Sequence, residues 1–145
     1  MCGSAVSNVP KFPLVNLLTL RKRMSRPKIM VIDSDKALRD VLHIFFSREG
    51  YKVKIVDNGA IAKKVLRKEY FDLVLCDWVA PEVYDYNMIQ DLNRLKQRPR
   101  IGIITCWSGK ILTIKNGDLD VDFIARKPFN LSRLLRQIRE VVKVG

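Results

Sequence analysis

Six polar side chains stand where apolar runs stop. Asp33-Ser34-Asp35 follow Ile29-Met30-Val31-Ile32, Asp77 follows Leu73-Val74-Leu75-Cys76, Thr105 follows Ile101 to Ile104, and Lys127-Pro128 come shortly after Val121 to Ala125. Carboxylates gathered at one point need a cation between them. A hard divalent ion with oxygen ligands, Mg²⁺ above all, suits that task. A carboxylate can also be the nucleophile in phosphoryl transfer, giving an aspartyl phosphate. The transferred group spreads its charge over three oxygens, so metal, ammonium and hydroxyl are the stabilisers this chemistry requires. Any one of these residues could merely open a loop or cap a helix. The set asks for more.

The elements that must position the set alternate in type. Ile29 to Ile32 is a short continuous apolar run, the mark of a strand buried on both faces. Leu38, Val41, Leu42, Phe45 and Phe46 then recur at helical spacing and stop at Gly50. Val53, Ile55 and Val56 form a second strand, and Asn58-Gly59 turns it into a helix carrying Ile61, Ala62, Val65 and Leu66 inward. Leu73 to Cys76 is the third strand, Met88, Ile89, Leu92 and Leu95 the third helix, and Ile101 to Ile104 the fourth strand. A weak helix near Lys110–Lys115 and a strand over Val121–Ala125 follow. Leu131, Leu134, Leu135, Ile138, Val141 and Val142 make the last and clearest helical stripe. Five strands alternating with five helices predict an α/β fold, a doubly wound five-stranded parallel sheet covered on both faces. In such sheets the site lies beyond the carboxyl ends of the strands. Those ends carry the polar set.

With its spacing, the set resembles the receiver domain of two-component response regulators, a flavodoxin-like fold, over Lys28 to Val142. The carriers are Lys28-Ile-Met-Val-Ile-Asp33, Asp57-Asn58-Gly59, Phe71-Asp-Leu-Val-Leu-Cys-Asp77-Trp-Val-Ala-Pro81, Ile103-Ile104-Thr105 and Lys127-Pro128-Phe129. The resemblance implies that Asp77 accepts phosphate from a histidine kinase or phosphotransfer protein. It further implies that Asp33, Asp77 and the backbone carbonyl of Val79 hold Mg²⁺, that Thr105 bonds a phosphoryl oxygen, and that Lys127 pairs with the phosphate. A cis Lys127–Pro128 bond is also implied. Nothing enzymatic beyond Mg²⁺-dependent self-phosphorylation is expected.

Four departures from the family pattern stand out. The second strand-end acid, a direct metal ligand in the family, is Ser34, and a hydroxyl is a far poorer Mg²⁺ ligand than a carboxylate. Asp35 could compensate through a water, or simply cap the next helix. The aromatic expected three residues before the lysine is Ile124; Phe123 is adjacent, and one residue of shift in a strand reverses the face. The loop Pro81-Glu-Val-Tyr-Asp-Tyr86 lacks the usual glycines. The resemblance implies that bulky Val79 and Trp107 flank the phosphoryl group, which predicts slow dephosphorylation once Asp77 is phosphorylated.

Composition bounds the rest. The 145 residues carry 27 Lys and Arg against 15 Asp and Glu, a net charge of +12. Five of those charges (Lys11, Arg21, Lys22, Arg23, Arg26) lie in residues 1–27 without an acid, leaving +7 for residues 28–145. Residues 1–27 therefore read as a flexible basic extension and residues 28–145 as a single receiver domain. Cys2, Cys76 and Cys106 have no paired spacing, and Cys76 and Cys106 read as buried reduced thiols of a cytoplasmic protein. His43, the one histidine, reads as a core or boundary residue. No apolar run is long enough for a membrane span. With no output module expected after Val144-Gly145, signalling would run through the surface. The fourth helix, fifth strand and fifth helix, with Arg126, Arg133, Arg136 and Arg139, offer a basic face for an acidic protein target or a homodimer. Two alternatives remain: a pseudo-receiver that binds partners without phosphorylation, which Ser34 favours, and a basic nucleic-acid binder, against which the lack of interleaved aromatics argues.

Overall fold

Apolar residues with no break between them form strands that must be covered on both sides, and every strand here is paired in parallel. In the computed structural model, which describes residues 25–78, 86–106 and 120–142, β1 (Lys28–Ile32), β2 (Lys52–Val56), β3 (Leu73–Trp78), β4 (Arg100–Thr105) and β5 (Phe123–Arg126) form one sheet. Its order is β2-β1-β3-β4-β5. The helices are α1 (Lys36–Arg48), α2 (Gly59–Leu66), α3 (Tyr86–Asn93) and α4 (Leu131–Val141). The predicted helix near Lys110–Lys115 lies outside the described residues, as do residues 1–24.

Alternation along each strand divides the core into two layers. Met30, Ile32, Val74, Cys76, Ile101 and Ile103 pack with Ala62 of α2 and with Met88, Ile89 and Leu92 of α3. Ile29, Val31, Leu73, Leu75 and Ile104 pack on the other face with Leu42 and Phe46 of α1 and Leu134, Leu135 and Ile138 of α4. Helices on both faces leave the two ends of the sheet as the places where polar groups can gather.

The chain stops and starts its elements by local chemistry. The Asp35 side chain caps α1, Asn58 caps α2 and Asn130 caps α4, each accepting from first-turn N–H groups. After α1, Gly50 takes φ +95°, a left-handed conformation open to glycine. β5 begins at Phe123, two residues later than the apolar run suggests. The cause is Asp122, whose carboxylate takes the Ile101 N–H at 2.7 Å, the place of a ladder carbonyl, and pairs with Arg98 at 3.0 Å and Arg100 at 3.2 Å. Among the described residues no helix is long and apolar enough to cross a membrane.

Candidate functional site

Asp33, Asp77, Thr105 and Lys127 come from four different segments, and the parallel register brings their strand ends to one rim. Asp33 follows β1, Asp77 lies near the end of β3, Thr105 closes β4, and Lys127 follows β5. Lys127 Nζ lies 2.8 Å from Asp77 Oδ1 and 3.7 Å from Asp33 Oδ2, so one ammonium spans two carboxylates. Thr105 is buried, and its carbonyl accepts from the Lys127 N–H at 2.7 Å, which fixes where the lysine leaves β5. The Lys127–Pro128 peptide is cis, as expected.

Asp33 is only 2% exposed. Its N–H donates to the Val56 carbonyl at 3.2 Å, and its Oδ1 accepts from the Asp35 N–H at 2.8 Å. Oδ2 is buried without a hydrogen-bond partner among the described residues. Burial raises the Asp33 carboxyl pKa most; the Asp35 N–H works against that rise, the Asp77 charge adds to it, and Lys127 opposes it. For Lys127 burial disfavours the charge, but the hydrogen bond to Asp77 and the charges of Asp77 and Asp33 prevail and raise its pKa.

That orphan oxygen is where a cation fits. Asp33 Oδ2 and the Asp77 carboxylate are two hard donors at one point, and Mg²⁺ is commonly held by one or two carboxylates with water and phosphate completing its shell. The donor set is thin: among the described residues no group of three or more His, Cys, Asp or Glu could hold a metal ion. Ser34 is exposed. Asp35 is spent on α1, its Oδ1 accepting from Ala37 N at 2.9 Å and Leu38 N at 3.3 Å. Of the two roles open to Asp35, capping is the one observed. Val79, the loop from Pro81 to Asp85 and Trp107 lie outside the described residues.

Two expectations change. Cys76 is buried as expected, but Cys106 is exposed, because it lies one residue beyond β4. His43 is exposed on α1, whose inward face is set by Leu42 and Phe46. Arg39 was not foreseen at all: its Nη1 donates to the Asp33 carbonyl at 2.7 Å. Its one sequence signal is an arginine one turn beyond a capping aspartate. The reversed face of Phe123 is observed, with Phe123 packed in the α1/α4 layer and Ile124 in the α2/α3 layer.

A doubly wound parallel sheet with a carboxylate–ammonium cluster at its carboxyl rim defines the class. The model of the response regulator receiver domain matches residues 29–139, and the chain belongs to that family, a class of signalling module in two-component systems. A probable transcriptional regulator ycf27 of Pyropia yezoensis is 30% identical over 118 residues, covering 81% of this chain and 48% of the relative. The transcriptional regulatory protein AfsQ1 of Streptomyces coelicolor is 27% identical over 82% of this chain and 52% of its own length. The chain thus spans about half the length of the curated relatives it matches. The fold agrees with that of the chemotaxis protein CheY4 of Vibrio cholerae (TM-score 0.72, 19% identity, 81% of this chain and 99% of that one). A response regulator of Thermotoga maritima is similar (TM-score 0.71, 23% identity, 81% and 98%).

Proposed function

We propose that the chain is a phosphoacceptor receiver module and that Asp77 takes a phosphoryl group from the histidine of a kinase or phosphotransfer protein. The observation that carries this reading is the Lys127 ammonium held between Asp77 and Asp33. An Asp77 carboxylate oxygen attacks phosphorus, the N–P bond of the donor breaks, and the departing imidazole nitrogen takes a proton. Lys127 turns from the carboxylate to a phosphoryl oxygen, and the Thr105 hydroxyl bonds another. By the family resemblance, Asp33, Asp77 and the Val79 carbonyl would hold Mg²⁺, with Ser34 or Asp35 contributing through water at most. When bound, the ion offsets the negative charge gathered on the phosphoryl oxygens. The receiver unit begins at Lys28, where β1 starts, behind a basic extension of residues 1–27. Output runs by protein–protein contact, and the basic α4 surface suits an acidic partner. The site of action is the cytoplasm.

Mass spectrometry after acetyl phosphate and Mg²⁺ tests the reading. One phosphoryl adduct in the wild type, absent in Asp77→Asn, is expected. A second reading, a pseudo-receiver, is favoured by the exposed Ser34 and the engaged Asp35. An absence of adduct across a wide Mg²⁺ range would establish it instead.

A further inference from the structure

We propose that Arg39 is a positioning residue that holds the β1–α1 turn, so that the one unbonded oxygen of Asp33 stays aimed at the Asp77–Lys127 pair. The proposal rests on the function above and adds a residue to it. Asp33 has four polar groups, and three are fixed: its N–H by Val56, its Oδ1 by the Asp35 N–H, and its carbonyl by Arg39 Nη1 at 2.7 Å. The side chains of the next two residues do little to hold the turn. Ser34 is exposed and makes no side-chain hydrogen bond among the described residues. The Asp35 carboxylate faces forward onto α1.

Rotation of the Asp33–Ser34 peptide would carry the Asp35 N–H away from Oδ1 and release the carboxylate. Arg39 opposes that rotation from a fixed base, because its own N–H is bonded to the Asp35 carbonyl at 3.0 Å inside the first turn of α1. A charge-assisted bond to a carbonyl is among the stronger hydrogen bonds available to a turn. Arg39 is half-buried and its bond to the Asp33 carbonyl is partly shielded, which limits competition from water. The orientation of a ligating carboxylate is commonly set by such outer partners, and their loss weakens metal affinity.

Arg39→Met and Arg39→Lys, with Mn²⁺ as the titrated ion, separate this role from two others. Loss of positioning raises the Mn²⁺ dissociation constant about tenfold in Arg39→Met, with partial recovery in Arg39→Lys. If Arg39 acted only as a nearby positive charge, Arg39→Met would bind Mn²⁺ more tightly, and that result overturns the proposal. A lowered melting temperature with unchanged Mn²⁺ affinity also overturns it.

A second readout needs no metal and stands even if the wild type binds none, in which case the functional reading fails by itself. Amide exchange of Asp35 should quicken on the order of tenfold in Arg39→Met, while the Ala37 and Leu38 amides, held by the cap, change by less than about twofold. Equal acceleration of all three would mean that Arg39 merely anchors the helix, and the proposal falls.

Discussion

Asp33 keeps a buried carboxylate oxygen with no hydrogen bond among the described residues, and the cost of that arrangement is measurable. Its folded pKa lies above the unfolded value because burial outweighs the help from the Asp35 N–H and Lys127. Between the two values the unfolded chain binds fewer protons than the folded one, so stability falls as pH rises through that interval. Asp33→Asn is therefore expected to be more stable than wild type at pH 7, by about 1–3 kcal/mol. The gain should vanish below about pH 4, where both forms are neutral. Urea unfolding across pH checks both limbs; a variant less stable at pH 7 would mean that the Lys127 contact outweighs the burial cost. Lys127 has the opposite sign. Its raised pKa contributes stability that is complete at neutral pH and lost only as pH climbs through the folded value, above 10.5.

Capping and cross-strand packing act at the scale of elements. Asp35→Ala should cost about 1 kcal/mol through the lost N-cap of α1, while Asp35→Asn keeps the acceptor and costs only a few tenths. Because Asp35 Oδ1 serves Ala37 and Leu38, both variants should bind Mn²⁺ as the wild type does, and calorimetric titration would reveal any direct ligation. β4 and β5 meet at a second informative pair. Gly102 lies opposite Phe123 in register, and a Cβ at 102 would meet Leu75 Cδ2 at 2.7 Å and Phe123 Cε1 at 2.8 Å. The ring occupies the space that glycine leaves. Gly102→Ala should destabilise by about 1–3 kcal/mol through overpacking. Adding Phe123→Leu should recover part of that loss, and a double-mutant cycle with no coupling would refute the packing argument.

Among the described residues, charged clusters mark both ends of the sheet. The carboxyl end holds the Asp33–Lys127–Asp77 cluster, and the amino end is closed by ion pairs. Glu69 joins Lys28 of β1 at 3.0 Å and Lys54 of β2 at 3.2 Å, so one carboxylate bridges the two neighbouring strands. Arg98 ties the end of α3 to the start of β5 through Asn93, Asp120 and Asp122. Hydrogen bonds to Lys28 and Lys54 lower the Glu69 pKa, so its contribution is present above the unfolded value of 4.5 and lost as pH falls through the folded one. The acid limb of the unfolding profile should accordingly flatten in Glu69→Gln. Arg98→Met should cost about 2 kcal/mol, measured by chemical denaturation, because it strips partners from a carboxylate that is only 15% exposed.

The sequence by itself determined the fold class, the alternation of elements and the identities gathered at the carboxyl rim. Periodicity and strand-end position are local properties, and Ile29 to Asp33 or Leu73 to Asp77 display both without reference to the rest of the chain. It also determined that Phe123 and Ile124 must face opposite layers, because side chains alternate along any strand. Only the tertiary structure decided that Asp35 is consumed as a cap, that Asp33 keeps an orphan oxygen, that Arg39 reaches back to the Asp33 carbonyl, and that Cys106 and His43 are exposed. Each of these depends on a side-chain direction or a helix orientation. Those are settled by packing between segments distant in sequence, which no residue pattern records.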